Sequence, residues 1–150
     1  MKGKQLIVDS GFRTLNFVHR SVLRASGGRI GGSALGMTVV ELHVVGRKSG
    51  RVRSTILTTP VVDGDRFVLV ASKGGDDRDP EWFLNAVANP EVELTIGATR
   101  RPMRARVATD DERDELWPRV IGAYRSYGGY RQRTSRVIPM VICEPRTTDQ

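Results

Sequence analysis

Several kinds of residue are scarce in this chain, and each scarcity excludes something. Its 150 residues include one cysteine, Cys143, and two histidines, His19 and His43. A single cysteine excludes an internal disulfide and suits a reducing compartment. It ends the apolar run Val137-Ile138-Pro139-Met140-Val141-Ile142-Cys143, so it reads as a buried strand thiol rather than a nucleophile. The histidines lie far apart and lack metal-ligand spacing. His43 sits in an apolar strand and reads as structural. There is no Gly-x-Ser-x-Gly elbow and no Ser-His-Asp arrangement. No apolar run approaches the ~18 residues of a transmembrane helix, and the N-terminus lacks the apolar core of a signal peptide. The expectation is a cytoplasmic protein, with the membrane surface left open. An enzyme so poor in acid–base groups suits a cofactor that carries the difficult chemistry.

Carboxylates are also outnumbered. Lys and Arg total 24 against 17 Asp and Glu, a formal charge of +7. Such a surface attracts nucleic acid, anionic lipid or an anionic small molecule, and composition does not choose among them. The length fits one domain, residues 1–150, that buries roughly 68–70% of its unfolded surface without staples.

Periodicity supplies the organisation. Phe12, Leu15, Val18, Val22 and Leu23 recur at helical spacing over 10–25, with Asp9 or Ser10 as cap and Arg13, Arg20 and Arg24 on the opposite side. A glycine-rich stretch over 27–36 reads as a loop rather than a phosphate cradle, because no strand precedes it. Strands are expected over 37–45, 53–62, 66–72, 92–96, 103–107 and 137–143. Turns fall at 46–51, at Asp63-Gly64 and near Gly97. A polar loop over 73–79 leads to a short helix that Asp79 caps, Pro80 opens and Asn89-Pro90 ends. Thr109-Asp110-Asp111-Glu112 matches a capping box. The helix it opens carries Leu116, Trp117, Val120, Ile121 and Tyr124, and Pro118 should kink or restart it. The tail over 146–150 is polar and expected to fray. About six mainly antiparallel strands with three or so helices, not alternating with them, indicate an α+β fold with a barrel-like sheet.

Three clusters could carry chemistry. The first is Gly46-Arg47-Lys48-Ser49-Gly50-Arg51-Val52-Arg53, four cations within seven residues on a hairpin turn. It reads either as a solvated basic turn or as a grip for phosphate or carboxylate, since glycines let backbone N–H groups approach and Arg binds such anions in a fork. The interleaved aromatics of a single-strand nucleic-acid binder are missing. The second cluster is Ala71-Ser72-Lys73-Gly74-Gly75, followed by Pro80-Glu81-Trp82-Phe83-Leu84-Asn85. A strand end before a helix N-terminus can gather donors and a lysine around a ligand edge. Trp82 is either core or a platform, and Asn85, one helical step on, faces the same space. The third is Tyr124, Tyr127 and Tyr130 with Arg131, Arg133 and Arg136. The tyrosines either cover the barrel or present hydroxyls to a substrate. Gly128-Gly129 between them fits a segment that moves as a lid.

The order and spacing of these segments, together with Asn89-Pro90 and the closing Tyr130-Arg131-Gln132-Arg133-Thr134-Ser135-Arg136-Val137-Ile138-Pro139, resemble the deazaflavin-dependent nitroreductases of actinobacteria over about residues 15 to 145. The resemblance implies a split β-barrel of the flavin-reductase type that binds coenzyme F420, an 8-hydroxy-5-deazaflavin with a phosphate and an oligoglutamate tail. It puts those anions on Arg47, Lys48, Ser49, Gly50, Arg51 and Arg53. It lays the ring along Ala71, Ser72, Lys73 and Gly74, near Trp82 and Asn85, and it turns Tyr124, Tyr127 and Tyr130 to the substrate. The implied activity is hydride transfer from the reduced coenzyme to a small electron-poor acceptor, a quinone, nitro compound or activated enone, with the Tyr130 hydroxyl bonding the acceptor and helping to deliver the proton. No nucleic-acid partner is implied. Such proteins are monomers or homodimers, and the helix over 10–25 either packs on the barrel or makes a peripheral membrane contact. Two other uses of the fold stand beside this one, a carrier that binds F420 without turnover and a barrel that uses FMN or haem. The cation cluster argues against FMN. Over Ser54–Pro60 the sequence departs from the family in having no aromatic residue.

Overall fold

The computed structural model describes residues 33–34 and 36–146. The helix expected over 10–25, nearly all of the glycine-rich stretch and the tail beyond Arg146 lie outside them. Eight strands form one antiparallel sheet: β1 (Ser33–Ala34), β2 (Met37–Val45), β3 (Val52–Thr59), β4 (Val61–Asp63), β5 (Arg66–Val70), β6 (Glu91–Ile96), β7 (Thr99–Val107) and β8 (Met140–Pro145). The order is β1-β2-β6-β7-β8-β5-β4, with β3 on the other side of β2. Among the described residues three helices accompany the sheet: α1 (Glu81–Ala88), α2 (Asp110–Ala123) and α3 (Ser126–Arg133), with a single 3-10 turn at Lys73–Gly75. The sheet curls so that β3 comes beside β5, the split barrel that the sequence leads one to expect.

Alternation along β5 and β8 explains the packing. Phe67 and Leu69 of β5, with Val141 and Cys143 of β8, join Val40, Leu42, Leu94, Met103 and α1's Phe83 in one cluster. The intervening Val68, Val70, Met140 and Ile142 face the other way and pack with Trp117 and Val120 of α2 and Tyr127 of α3. A period of two with both faces buried gives continuous apolar runs instead of alternating ones. Each fully buried Leu or Ile here contributes about 1.5–3 kcal/mol. Cys143 lies in the first cluster, and burial pushes its thiol up to about 12, so it packs as an inert apolar group. His43 bridges strands: Nδ1 meets Ser54 Oγ and Nε2 meets Thr95 Oγ1, both at 2.8 Å.

The structure corrects several expected boundaries. The strand expected over 53–62 breaks at Pro60 into β3 and β4. The buried Thr59 hydroxyl shares its proton between the carbonyls of Val68 (2.7 Å) and Val61 (3.1 Å), which satisfies the break. The strand expected to reach Ser72 stops at Val70, since the carbonyls of Ala71 and Ser72 turn to a side chain. The strand expected from residue 103 begins at Thr99. Pro102 is tolerated because its carbonyl, and so its ring nitrogen, faces beyond the end of β8, where only Arg146 N reaches it. The last strand starts at Met140, not 137, because Pro139 precedes it and supplies only a carbonyl, to Ala71 N. Asp79 does not cap α1; Pro80 stands at that position without a side-chain bond, and Asp79 pairs with Arg136. α2 runs through Pro118 without restarting. Its expected capping box is present, with Thr109 and Glu112 each accepting from the other's backbone N–H.

Candidate active site

A cavity of about 720 Å³ opens between the turn after β2, the strand β3, the segment after β5, the start of α1, Tyr124 just past α2, and Tyr127 and Tyr130 of α3. That size suits an organic cofactor with a substrate edge. The curl of the sheet brings these distant segments together, because β2 and β3 form one wall and the end of β5 the next.

The basic turn owes its shape to Gly46 and Gly50. Gly50 N donates to Gly46 O at 2.9 Å and Gly46 N to Arg51 O at 2.7 Å, while Gly50 has φ +69°. A Cβ on Gly46 would lie 2.7 Å from Ser49 Oγ and 3.3 Å from Arg51 O, so a larger residue would have to displace the Ser49 side chain. Arg47 turns inward. Its backbone N–H and Nη1 both donate to Asn85 Oδ1, at 3.1 and 2.8 Å, and Nη1 pairs with Glu81 Oε2 at 2.8 Å. That hydrogen bond holds the Glu81 carboxyl below its ordinary range. Asn85, buried on α1 one helical step from Trp82, is therefore the anchor of the turn. Asn89 adds a second tie, Nδ2 to Val45 O at 3.0 Å. Lys48, Arg51 and Arg53 are exposed, with no carboxylate against them among the described residues.

The segment after β5 is unusual. Lys73 has φ +46°, Gly74 +64° and Gly75 +84°, three successive left-handed residues, of which Lys73 is not glycine. Ser72, Lys73 and Gly74 line the cavity. Trp82 is half-buried, edge-on to Phe83 at 6.2 Å, and also lines it. Core and platform are thus one position for this ring.

The tyrosines form a T-shaped chain. Ring centres lie 5.7 Å apart for Tyr124–Tyr127 and 5.8 Å for Tyr127–Tyr130. Tyr127 is buried, its hydroxyl 3.3 Å from Thr58 Oγ1 on β3, and desolvation pushes its pKa up. Desolvation does the same to Tyr130, with the Tyr124 hydroxyl adding to it. Both hydroxyls keep their protons at neutral pH. Gly128 and Gly129 lie inside α3.

Of the residues expected at the site, Arg47, Lys48, Ser49, Arg53, Ser72, Lys73, Gly74, Trp82, Asn85, Tyr124, Tyr127 and Tyr130 share this one cavity. Gly50 and Arg51 complete the turn outside its lining. Ala71 is fully buried, its carbonyl bonded to Arg136. Sequence reasoning missed the roles of Glu81, Thr58 and Arg136. No local pattern marks Glu81 or Thr58; for Arg136, only its place after the tyrosines was visible.

The geometry fits an elongated ligand with an anionic end, a planar middle and an oxygen or nitrogen beneath hydroxyl donors. Comparison with known proteins points the same way. Residues 16–145 match the F420H(2)-dependent quinone reductase family. The chain is 37% identical over 134 residues to an F420H(2)-dependent quinone reductase of Mycobacterium tuberculosis (strain H37Rv), covering 86% of this chain and 89% of that protein. A solved F420-H2 dependent reductase (FDR-A) has TM-score 0.64 and 36% identity, covering 71% of this chain and 93% of that one. A solved domain-swapped dimer has TM-score 0.67 and 34% identity, covering 85% and 97%.

Proposed function

We infer that this chain, which belongs to the F420H(2)-dependent quinone reductase family, uses its cavity to pass a hydride from reduced coenzyme F420 to an electron-poor acceptor of the quinone class. The observation that carries the reading is the convergence on one space of Lys48 and Arg53, which meet no carboxylate among the described residues, a left-handed loop and neutral tyrosine hydroxyls. The fit to the coenzyme is chemical. Lys48, Arg51 and Arg53 offer charge-assisted bonds to a phosphate and carboxylates. Ser72–Gly74 and Trp82 bound a slot for a flat ring. When bound, the reduced deazaflavin supplies the hydride.

The chain's own residues do the rest. Asn85 and Glu81 hold Arg47, and through it the turn that takes the tail. β3 presents Thr55, Leu57 and Thr58 where an aromatic is absent, which leaves width for an acceptor ring. A quinone that accepts a hydride becomes an anion on the carbonyl oxygen, and needs one proton to complete the quinol. Tyr130, neutral at working pH, donates to that oxygen, and Tyr127, fixed by Thr58, holds its ring in place. Enclosure beneath the tyrosines excludes water and aligns the pair.

The reading extends to placement and assembly. A cytoplasmic protein that touches the membrane through residues 10–25 would meet lipid-borne quinones, and absence of binding to anionic vesicles would remove that contact. A homodimer is in keeping with the domain-swapped relative, and sedimentation of the purified chain tests it. No described helix is long and apolar enough to cross a membrane.

The activity is tested by titrating the protein with F420 and, in parallel, FMN, following fluorescence, then adding 1,4-naphthoquinone to the reduced complex. Binding of the deazaflavin alone with oxidation by the quinone is expected. Binding of FMN instead, or no turnover, would defeat the assignment. Tyr130→Phe should bind the coenzyme as wild type does and lose at least tenfold in turnover; full turnover would exclude Tyr130 as donor.

A further inference from the structure

We propose that Arg136 is a positioning residue for this reaction, tying the loop at 71–76 to the tyrosine helix and so setting the distance between the two walls of the cavity. The proposal rests on the reading that this loop beds the coenzyme ring.

Arg136 lies three residues beyond α3, and its side chain is 15% exposed. It does not line the cavity. Instead, all three nitrogens of its guanidinium donate to this loop and to Asp79. Nε donates to Asp76 O at 2.9 Å, Nη2 to Ala71 O at 3.0 Å and Ser72 O at 3.1 Å, and Nη1 to Asp79 Oδ1 at 3.0 Å. Four acceptors from four residues on both sides of the turn converge on one planar group. Three are main-chain carbonyls, whose oxygens would repel one another without a cation between them.

The loop depends on such a clamp. Its three left-handed residues include a lysine, and a non-glycine residue holds that conformation only where its surroundings impose it. Inside the loop, Gly75 N donates to Ser72 O at 2.9 Å and Asp76 N to Lys73 O at 3.2 Å. The back of the loop packs directly on α3: a Cβ on Gly75 would lie 2.8 Å from Tyr130 O and 2.9 Å from Arg133 Cβ. Thr134 Oγ1 extends this seam to Asp77 Oδ1 at 2.8 Å. The main chain of Tyr130 therefore rests on the loop while its ring faces the cavity. Neither wall can shift without the other, and Arg136 locks the seam.

A lysine cannot do this. Its ammonium is a point charge on a flexible stem, with three donors and no fork to span acceptors on two sides. Misplacement of the ring bed by a fraction of an ångström lowers the rate of hydride transfer, because reacting atoms leave their near-attack distance. It leaves the tail's anions in place, because the basic turn is elsewhere.

The experiment compares wild type with Arg136→Lys by coenzyme titration, turnover of reduced F420 with naphthoquinone, melting temperature and amide hydrogen exchange. The expected result is a kcat at least tenfold lower with the F420 Kd within about twofold, and faster exchange in residues 71–77 and 127–133 together. Wild-type kcat in the variant overturns the proposal. So does a parallel loss of affinity, turnover and melting temperature, the mark of a merely structural residue. If Arg136→Lys fails to fold, Asp79→Asn takes its place, and a two- to fivefold lower kcat at unchanged Kd supports the clamp while wild-type kcat overturns it. Exchange is measured without coenzyme, so the coupling is judged even if wild type binds no F420. That last result would defeat the functional reading, and unchanged exchange would defeat the clamp.

Discussion

At the mouth of the cavity Lys48, Arg51 and Arg53 face solvent with no carboxylate against them among the described residues, whereas across the sheet Arg66, Arg100, Arg101, Arg106 and Arg119 each meet one. Arg106 meets two, Glu144 at 2.7 Å and Glu112 at 2.8 Å. The same residue type thus serves two ends. On the far side cations and anions neutralise one another across strands and hold the sheet to α2. At the mouth no described carboxylate offsets Lys48, Arg51 or Arg53. The chain's net charge of +7 is informative only once the paired cations are set aside. Glu81 is the exception at the mouth, a carboxylate that holds Arg47 back from the solvent.

If this contrast is functional, removing unpaired cations must hurt binding and removing paired ones must not. Lys48→Ala with Arg53→Ala should weaken F420 binding about 100-fold, on the order of 1.4 kcal/mol for each lost charge-assisted contact. The residual affinity should also depend less on salt. Unchanged affinity in a fluorescence titration would return the turn to plain solvated surface.

Arg106→Met should leave F420 affinity alone and cost about 1 kcal/mol of stability in denaturant unfolding, a modest figure because its partners are partly exposed. A loss of coenzyme affinity in this variant would erase the distinction between the two sets.

Glu81→Gln keeps an acceptor for Arg47 but removes a carboxylate's charge from the cavity lining, and should tighten F420 binding by about two- to threefold through a less screened Arg47. Weaker binding would mean that Arg47 needs the full ion pair, beyond its bonds to Asn85, to hold the turn.

The smallest effect concerns acid. Hydrogen bonds from Arg106, then from the Thr109 backbone, hold Glu112 at about 2, against 4.5 in the unfolded chain. Its stabilisation is complete above about pH 4.5 and is lost as pH falls toward 2. Melting curves of Glu112→Gln should lie closer to wild type at pH 3 than at pH 7. An equal gap at both values would show that the pair contributes nothing.

Local signals proved readable where the cause was local. The Thr109–Glu112 box, the Asp63-Gly64 hairpin and the glycines of the basic turn depend on neighbours in sequence, and the chain folds there as its pattern predicts. Boundaries moved wherever a distant group competed for a backbone or side-chain partner. Asp79 has the chemistry of a helix cap, but Pro80 holds the cap position and the Arg136 guanidinium takes the Asp79 carboxylate. Ala71 and Ser72 continue a strand pattern, but the same guanidinium draws off their carbonyls. Arg47 sits in a turn rich in anion-binding residues, yet Asn85 and Glu81, 38 and 34 positions on, turn it inward.

By itself, then, the sequence determined most of the strands, the helices α1 and α2, the antiparallel barrel, the three clusters and the family they resemble, because hydrophobic period, turn chemistry and motif order are properties of neighbouring residues; it left β1 and α3 unread. Only the tertiary structure decided which of the described cations meet a carboxylate, that Tyr127 meets Thr58, and that Arg136 joins the loop to the tyrosine helix. Those depend on which distant groups come within hydrogen-bonding reach as the sheet curls, and a bond of about 3 Å between residues some sixty positions apart leaves no periodic trace in the chain.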